Sequence, residues 1–214
     1  MLVTMRLELL CQTSPARRAP VRALAFCLTI ALAASVATPL HAVVPGDVAP
    51  PWTGVDLITQ EQHSFPQVLN DKPAVLIFWA TWCPYCKAFM PYVEKIQQDY
   101  AAAGVQIITF NTKERGRGDP QAYARNLDYP LLAIGAADAI GDAYDIAFIP
   151  GLLVVDGEGV IAYRRRSTNL PAGKTVSQQW DAEVRAVLDE LTQQSQPADD
   201  LQNGLDLPSR STGR

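Results

Sequence analysis

Cysteine is scarce in this chain, four residues in 214, far fewer than a small disulfide-held scaffold carries, so a buried apolar core must hold the fold. Basic charge is short as well. The formal net charge is −4, which leaves no cationic excess to neutralise phosphates and argues against nucleic acid as a main partner. Beyond residue 42 the potential zinc ligands of the usual kind are Cys83, Cys86 and His63, one short of the four that a structural zinc site needs. What is plentiful is ordinary apolar residue, 48% of the chain, too much for a disordered polypeptide and enough for one domain with tails.

The first forty residues read differently from the rest. Arg17, Arg18 and Arg22 precede an apolar run from Ala23 to Ala37 that ends among small residues. A positive flank, a short apolar core and a small-residue end are the parts of a secretory signal peptide. We therefore expect residues 1–42 to be a signal peptide cut after Ala42 or Ala37, with an uncleaved anchor over Ala23 to Leu40 as the alternative. Either way the protein is exported. Without residues 1–42 the chain keeps 14 basic and 21 acidic residues, a charge of −7, and its last two thiols are Cys83 and Cys86.

Residues 43–52 read as an extended lead-in rich in Pro and Gly. Val55–Ile58 and Gln62–Phe65 are strand candidates for a hairpin. The run Ala74–Ala80, AVLIFWA, is apolar without a break, as in a strand buried on both faces. From Pro84 to Ala103 the period becomes helical, with Pro91 predicting a kink. Val105–Phe110 is the next strand, residues 111–118 a polar loop, and Asp119-Pro120 a cap and first turn for a helix to about Leu127. A strand at Leu131–Ile134 and a helix near Asp138–Tyr144 follow. Gly151–Val155 and Val160–Arg166 flank Asp-Gly-Glu-Gly, a hairpin signal, and a helix spans Thr175–Gln193. We read 43–193 as one domain and 194–214 as a disordered tail. The pattern predicts an α/β fold, a central mixed β-sheet flanked by helices on both faces with an N-terminal β-hairpin.

Chemistry concentrates where the buried strand meets the first helix, in Phe78-Trp79-Ala80-Thr81-Trp82-Cys83-Pro84-Tyr85-Cys86-Lys87. A cysteine at a helix N-terminus meets unpaired N–H groups and the positive end of the macrodipole, which favour thiolate over thiol. Two intervening residues bring the second sulfur back within bonding reach, so Cys86 can resolve a mixed disulfide formed at Cys83. Pro84 suits the first helical position, and Tyr85 is the other variable between the sulfurs. The same pair of soft thiols can also capture Cu(I). Trp79 reads as core, Trp82 as a rim residue beside Cys83, and Lys87 equally as a solvated helix residue or a thiolate stabiliser. Arg164–Arg166 read as charge on an edge strand that resists aggregation.

These residues resemble the thioredoxin superfamily, and within it the periplasmic TlpA-like and ResA-like thiol-disulfide oxidoreductases. The resemblance covers roughly residues 47–192 and rests on FWATWCPYCK and on the segment from Tyr144 to Gly159, YDIAFIPGLLVVDGEG. It implies a cis proline at Pro150 facing the cysteines, with Ile149 and Pro150 joining Trp82, Pro84 and Tyr85 in a substrate groove and no cofactor. It implies a periplasmic enzyme that reduces disulfides of partner proteins, for example in cytochrome c maturation, and draws electrons from a membrane-embedded redox partner. A DsbA-type disulfide donor and a non-catalytic Cu(I)-handling module are the competing readings. Two acids found in relatives are missing. Ile77 stands where many thioredoxins bury an Asp, and Phe89 stands where ResA-like proteins carry a Glu.

Overall fold

The computed structural model describes residues 43–116, 118–166 and 173–194. The expected signal peptide or anchor, and the expected tail from Ser195 onward, lie outside the described residues. Among the described residues no helix is long and apolar enough to cross a membrane.

Among the described residues seven strands and four α-helices follow in the order β1 (Trp52–Val55), β2 (Gln62–Phe65), β3 (Ala74–Trp79), α1 (Pro84–Tyr100), β4 (Gln106–Asn111), α2 (Pro120–Arg125), β5 (Leu132–Ile134), α3 (Asp138–Ala143), β6 (Gly151–Val155), β7 (Ile161–Arg164) and α4 (Val176–Gln194). β1 and β2 form a separate antiparallel pair, and the main sheet runs β5-β4-β3-β6-β7. β3 is parallel to β4 and antiparallel to β6, so the sheet is mixed as expected.

β3 is central because every one of its residues is apolar and buried, and its alternation divides the core in two. Ala74, Leu76 and Phe78 point into a cluster with Ile108, Phe110, Leu153 and Tyr144. Val75, Ile77 and Trp79 point into a second cluster with Phe89, Val93 and Ile96 of α1 and Trp180, Val184 and Leu188 of α4. The hairpin and α3 cover the first face, α1, α4 and α2 the second. Helices α1 and α4 are tied at their outer edge by Arg185, which pairs with Asp99 at 2.7 Å and Asp181 at 2.8 Å. Beside it the Tyr100 hydroxyl donates to Asp189 at 2.6 Å. Burial, reinforced by that carboxylate, pushes the Tyr100 phenol up to about 12.

The first strand departs from the expectation. It occupies Trp52–Val55 and pairs Trp52 with Phe65 and Val55 with Gln62, whereas Val55–Ile58 was the segment the alternation suggested. Trp52 decides the register. Its ring stacks on Phe65 at 6.0 Å and meets Phe110 edge-on at 5.1 Å, and the burial of so large a side chain outweighs that of Val55 and Ile58, which stay exposed. Asp56 then turns the chain. Its Oδ2 accepts from the Thr59 N–H and hydroxyl, both at 2.9 Å, and its Oδ1 accepts from the Ala133 N–H at 3.1 Å, fastening the hairpin to β5. The smaller differences are at element ends. α1 gives way to a 3-10 turn at Ala101–Ala103, α2 stops at Arg125, and β7 is limited to Ile161–Arg164.

Asp56 is 3% exposed, and burial alone would raise its pKa. The donors from Thr59 and Ala133 outweigh burial and hold its carboxyl below the ordinary value. We predict that Asp56→Ala costs about 2–4 kcal/mol in urea unfolding, because three donors lose a charged acceptor. A group whose pKa is depressed on folding stabilises fully above its unfolded value, near 3.9, and loses that contribution as pH falls through the folded value. The gap between wild type and variant should therefore close on acidification below about pH 4.

Candidate active site

The strand register builds the site. Phe78 pairs with Gly151, so the end of β3 and the start of β6 lie side by side, and the residues just after Trp79 face those just before Gly151. Ala80 to Cys83 and Ile149-Pro150 occupy these places. The Ile149–Pro150 peptide bond is cis, as the resemblance implies, and so is Phe65–Pro66, which the sequence reading did not single out. No side chain fits at 151, since a Cβ there would stand 2.9 Å from two Ile146 carbons and 3.1 Å from the Phe78 Cβ.

Cys83 is the N-cap of α1, with extended backbone dihedrals and Pro84 in the first turn. Its Sγ accepts from the Cys86 N–H at 3.2 Å, the donor a thiolate at this position would use. The two cysteines form a disulfide with their Cα atoms 5.3 Å apart, inside the ordinary span of such bridges. Cys83 Sγ lies 3.8 Å from the Ile149 carbonyl oxygen. Both cysteines are only 2% exposed, while Tyr85 is 57% exposed and Pro84 is open to solvent. Trp82 is half-buried, Pro150 is buried, and Ile149 packs against both core clusters. Trp79 is core, and Lys87 is exposed beside a hollow that also touches Trp82 and Asp119.

The polar loop after β4 carries what the sequence reading missed. Glu114 accepts from the Thr81 N–H at 2.6 Å, the Thr81 hydroxyl at 2.7 Å and the Asn111 amide at 2.8 Å. The Trp82 indole N–H donates to the Lys113 carbonyl at 2.7 Å, and the Arg115 guanidinium lies 3.6 Å over the Trp82 ring. Thr112 and Lys113 are fixed in turn by Asp138 at the start of α3. Gly118 closes the loop, for a Cβ there would run into the Thr81 hydroxyl and stand 2.5 Å from its Cβ. The signal was available, since a loop leaving the carboxyl end of a strand parallel to β3 must fall beside the loop leaving β3 itself. The positions expected to hold an acid in relatives are core instead. Ile77 and Phe89 are each 1% exposed, and Phe89 meets Trp180 edge-on at 5.7 Å.

Two further features differ from the reading of the sequence. Phe148, which carried no expectation, is 78% exposed next to the cis proline. Arg164 does not project from the edge strand, because its guanidinium donates to the Tyr144 and Asp145 carbonyls at 2.6 Å each and its side chain is only 17% exposed. The need of two α3-end carbonyls for donors outweighs solvation of the charge there.

The Redoxin family profile matches residues 45–179. The thiol:disulfide interchange protein DsbE of Yersinia pestis is 30% identical over 69% of this chain and 74% of its own length. The thiol-disulfide oxidoreductase ResA of Geobacillus kaustophilus is 30% identical over 56% of this chain and 68% of its own. The solution structure of a thiol:disulfide interchange protein from Bacteroides sp. superposes with a TM-score of 0.51 at 22% identity, covering 67% of this chain and 91% of that one. The architecture is thus the thioredoxin-like fold.

Proposed function

Because this chain belongs to the Redoxin family and is a thiol-disulfide oxidoreductase, we propose that it reduces disulfides of partner proteins in the periplasm, with cytochrome c maturation as the setting. The observation that carries this reading is the Cys83–Cys86 disulfide at the start of α1 with the Ile149 carbonyl 3.8 Å from Cys83. Residues 1–42 direct export, 43–194 form the catalytic domain, which ends with Gln194 of α4 and not at residue 193, and the residues from Ser195 onward are a tail.

In the reduced protein the Cys83 thiolate attacks a partner disulfide. One new S–S bond forms, the partner's S–S bond breaks, and the departing sulfur takes a proton. Cys86 then attacks Cys83, releasing the partner as a dithiol and closing the 83–86 disulfide, so that two electrons and two protons pass to the partner. A dithiol on a membrane-embedded redox protein restores the reduced pair. Pro84 and Tyr85 form the rim, Trp82 backs the Cys83 loop, and the Ile149 backbone beside Pro150 docks an extended partner segment.

The reduction potential of the 83–86 couple, measured against a glutathione or dithiothreitol buffer, tests the direction of flow. We expect a value near that of thioredoxin, about −270 mV. A value near about −120 mV, the DsbA end of the scale, would overturn the reductase reading in favour of a disulfide donor.

A further inference from the structure

A groove of about 910 Å³ runs from the redox site toward α4, lined among others by Tyr85, Phe148, Ile149, Arg165, Arg166 and Trp180. Its character is unlike that of the rest of an acidic chain with a net charge of −4. One end is Ile149, whose carbonyl approaches Cys83, flanked by the exposed rings of Tyr85 and Phe148. The other end carries Arg164, Arg165 and Arg166 against one carboxylate, Asp145, which stands 3.8 Å from Arg164. Arg164 is spent on the Tyr144 and Asp145 carbonyls, but Arg165 is not. Its Nε is buried without a hydrogen-bond partner, and among the described residues its guanidinium forms no ion pair, lying instead 4.9 Å over the Trp180 ring. Its neighbour Glu183 lies near enough to attract the Arg165 charge, while its oxygens accept from the Tyr163 hydroxyl at 2.5 Å and the Gln179 amide at 2.6 Å. Arg166, next in sequence, is exposed.

A partly desolvated guanidinium with an unused donor is a poor resting arrangement and a ready receptor for a carboxylate, which it can grip through two parallel bonds. We infer that the groove selects partner segments that carry an Asp or Glu a few residues from the reacting cysteine, the carboxylate lying on Arg165 with Arg166 beside it and an apolar neighbour lying against Phe148. This rests on the proposed reduction of protein disulfides and names the class of segment that the same site takes. Charge complementarity chooses the occupant, because the lining sets three arginines against the single carboxylate of Asp145 and so favours an acidic segment over a basic one.

The test uses two synthetic disulfide peptides that differ only in having Glu or Gln on either side of the cysteine, reduced by the reduced protein under stopped flow. The Glu peptide should react about tenfold faster at low ionic strength. That ratio should fall toward unity in about 1 M salt, where the screening length shrinks to about 3 Å. Arg165→Gln should also bring the ratio toward unity, and Arg165→Lys, which keeps the charge and loses the fork, should leave it in between. The salt series needs no variant and reads the charge dependence, while Arg165→Lys keeps a cation at the position and reads the fork, so the inference stays testable even if Arg165→Gln loosens the packing on Trp180. Equal rates for both peptides at low salt, or a ratio untouched by Arg165→Gln, would overturn the inference while leaving disulfide reduction standing. Failure to reduce either peptide would remove the reductase reading and this inference with it.

Discussion

Replacing Cys83 by Ser is expected to lower the rate of exchange with any disulfide peptide at least about a thousandfold, because a serine hydroxyl does not ionise near neutral pH and cannot displace sulfur from sulfur. Cys86→Ser should behave differently. Its Cys83 still attacks, but the resolving sulfur is gone, so the partner remains attached through a mixed disulfide that accumulates in proportion to the partner added. Mass spectrometry of the Cys86→Ser protein after exposure to periplasmic extract reads the adducts directly, and stopped flow with a model peptide reads the loss in Cys83→Ser. The contrast follows from the placement of the two sulfurs, with Cys83 capping α1 and approached by the Ile149 carbonyl, and Cys86 inside the first turn of the helix. If Cys86→Ser trapped nothing while Cys83→Ser did, the roles would be exchanged. If both variants exchanged at the wild-type rate, the site would be a bystander.

Much of this was legible from local sequence. The unbroken apolar run of β3 carried the signature of a strand covered on both faces, and each of its residues is buried in one of the two cores. Asp119-Pro120 read as a cap and first turn, and the Asp119 carboxylate accepts from the Ala122 N–H at 2.9 Å. The CPYC pair needed only its position between strand and helix. What stayed hidden depends on contacts between segments far apart in the chain. The register of β1 was set by Trp52 seeking Phe65 and Phe110, a preference that alternation within four residues does not carry. Arg164 looked like edge-strand charge because the carbonyls that claim it, of Tyr144 and Asp145, are 20 and 19 residues away. Glu114 sat in a polar stretch with no periodicity, and its partner Thr81 is separated from it by 33 positions. Phe148 had no apolar face to belong to, and it stands 78% exposed two residues before the cis proline.

Glu114 gives the second large effect. It is the acceptor that fixes the segment between β3 and Cys83 to the loop after β4, taking the Thr81 N–H, the Thr81 hydroxyl and the Asn111 amide on its two oxygens. Asn111 and Thr81 are buried, so Glu114→Ala would leave polar hydrogens there with no acceptor. We expect a loss of about 2–4 kcal/mol, or roughly 5–15 °C in Tm for a domain of this size. The same change frees the peptide that carries Trp82 and Cys83 from its anchor, and loss of alignment at the sulfur should lower kcat/KM for disulfide exchange about tenfold. Glu114→Gln separates positioning from mere stability. Its remaining carbonyl oxygen can still accept from the Thr81 N–H, so it should recover most of the exchange rate while recovering only part of the stability. Thr81→Val tests the link from the other side, removing the hydroxyl but not the N–H, and should cost less than Glu114→Ala in both measurements. A Glu114→Ala protein that matched wild type within about 0.5 kcal/mol and reduced peptides at the wild-type rate would show that the Cys83 segment is held without Glu114, by β3, α1 and the Trp82 contacts with Lys113 and Arg115.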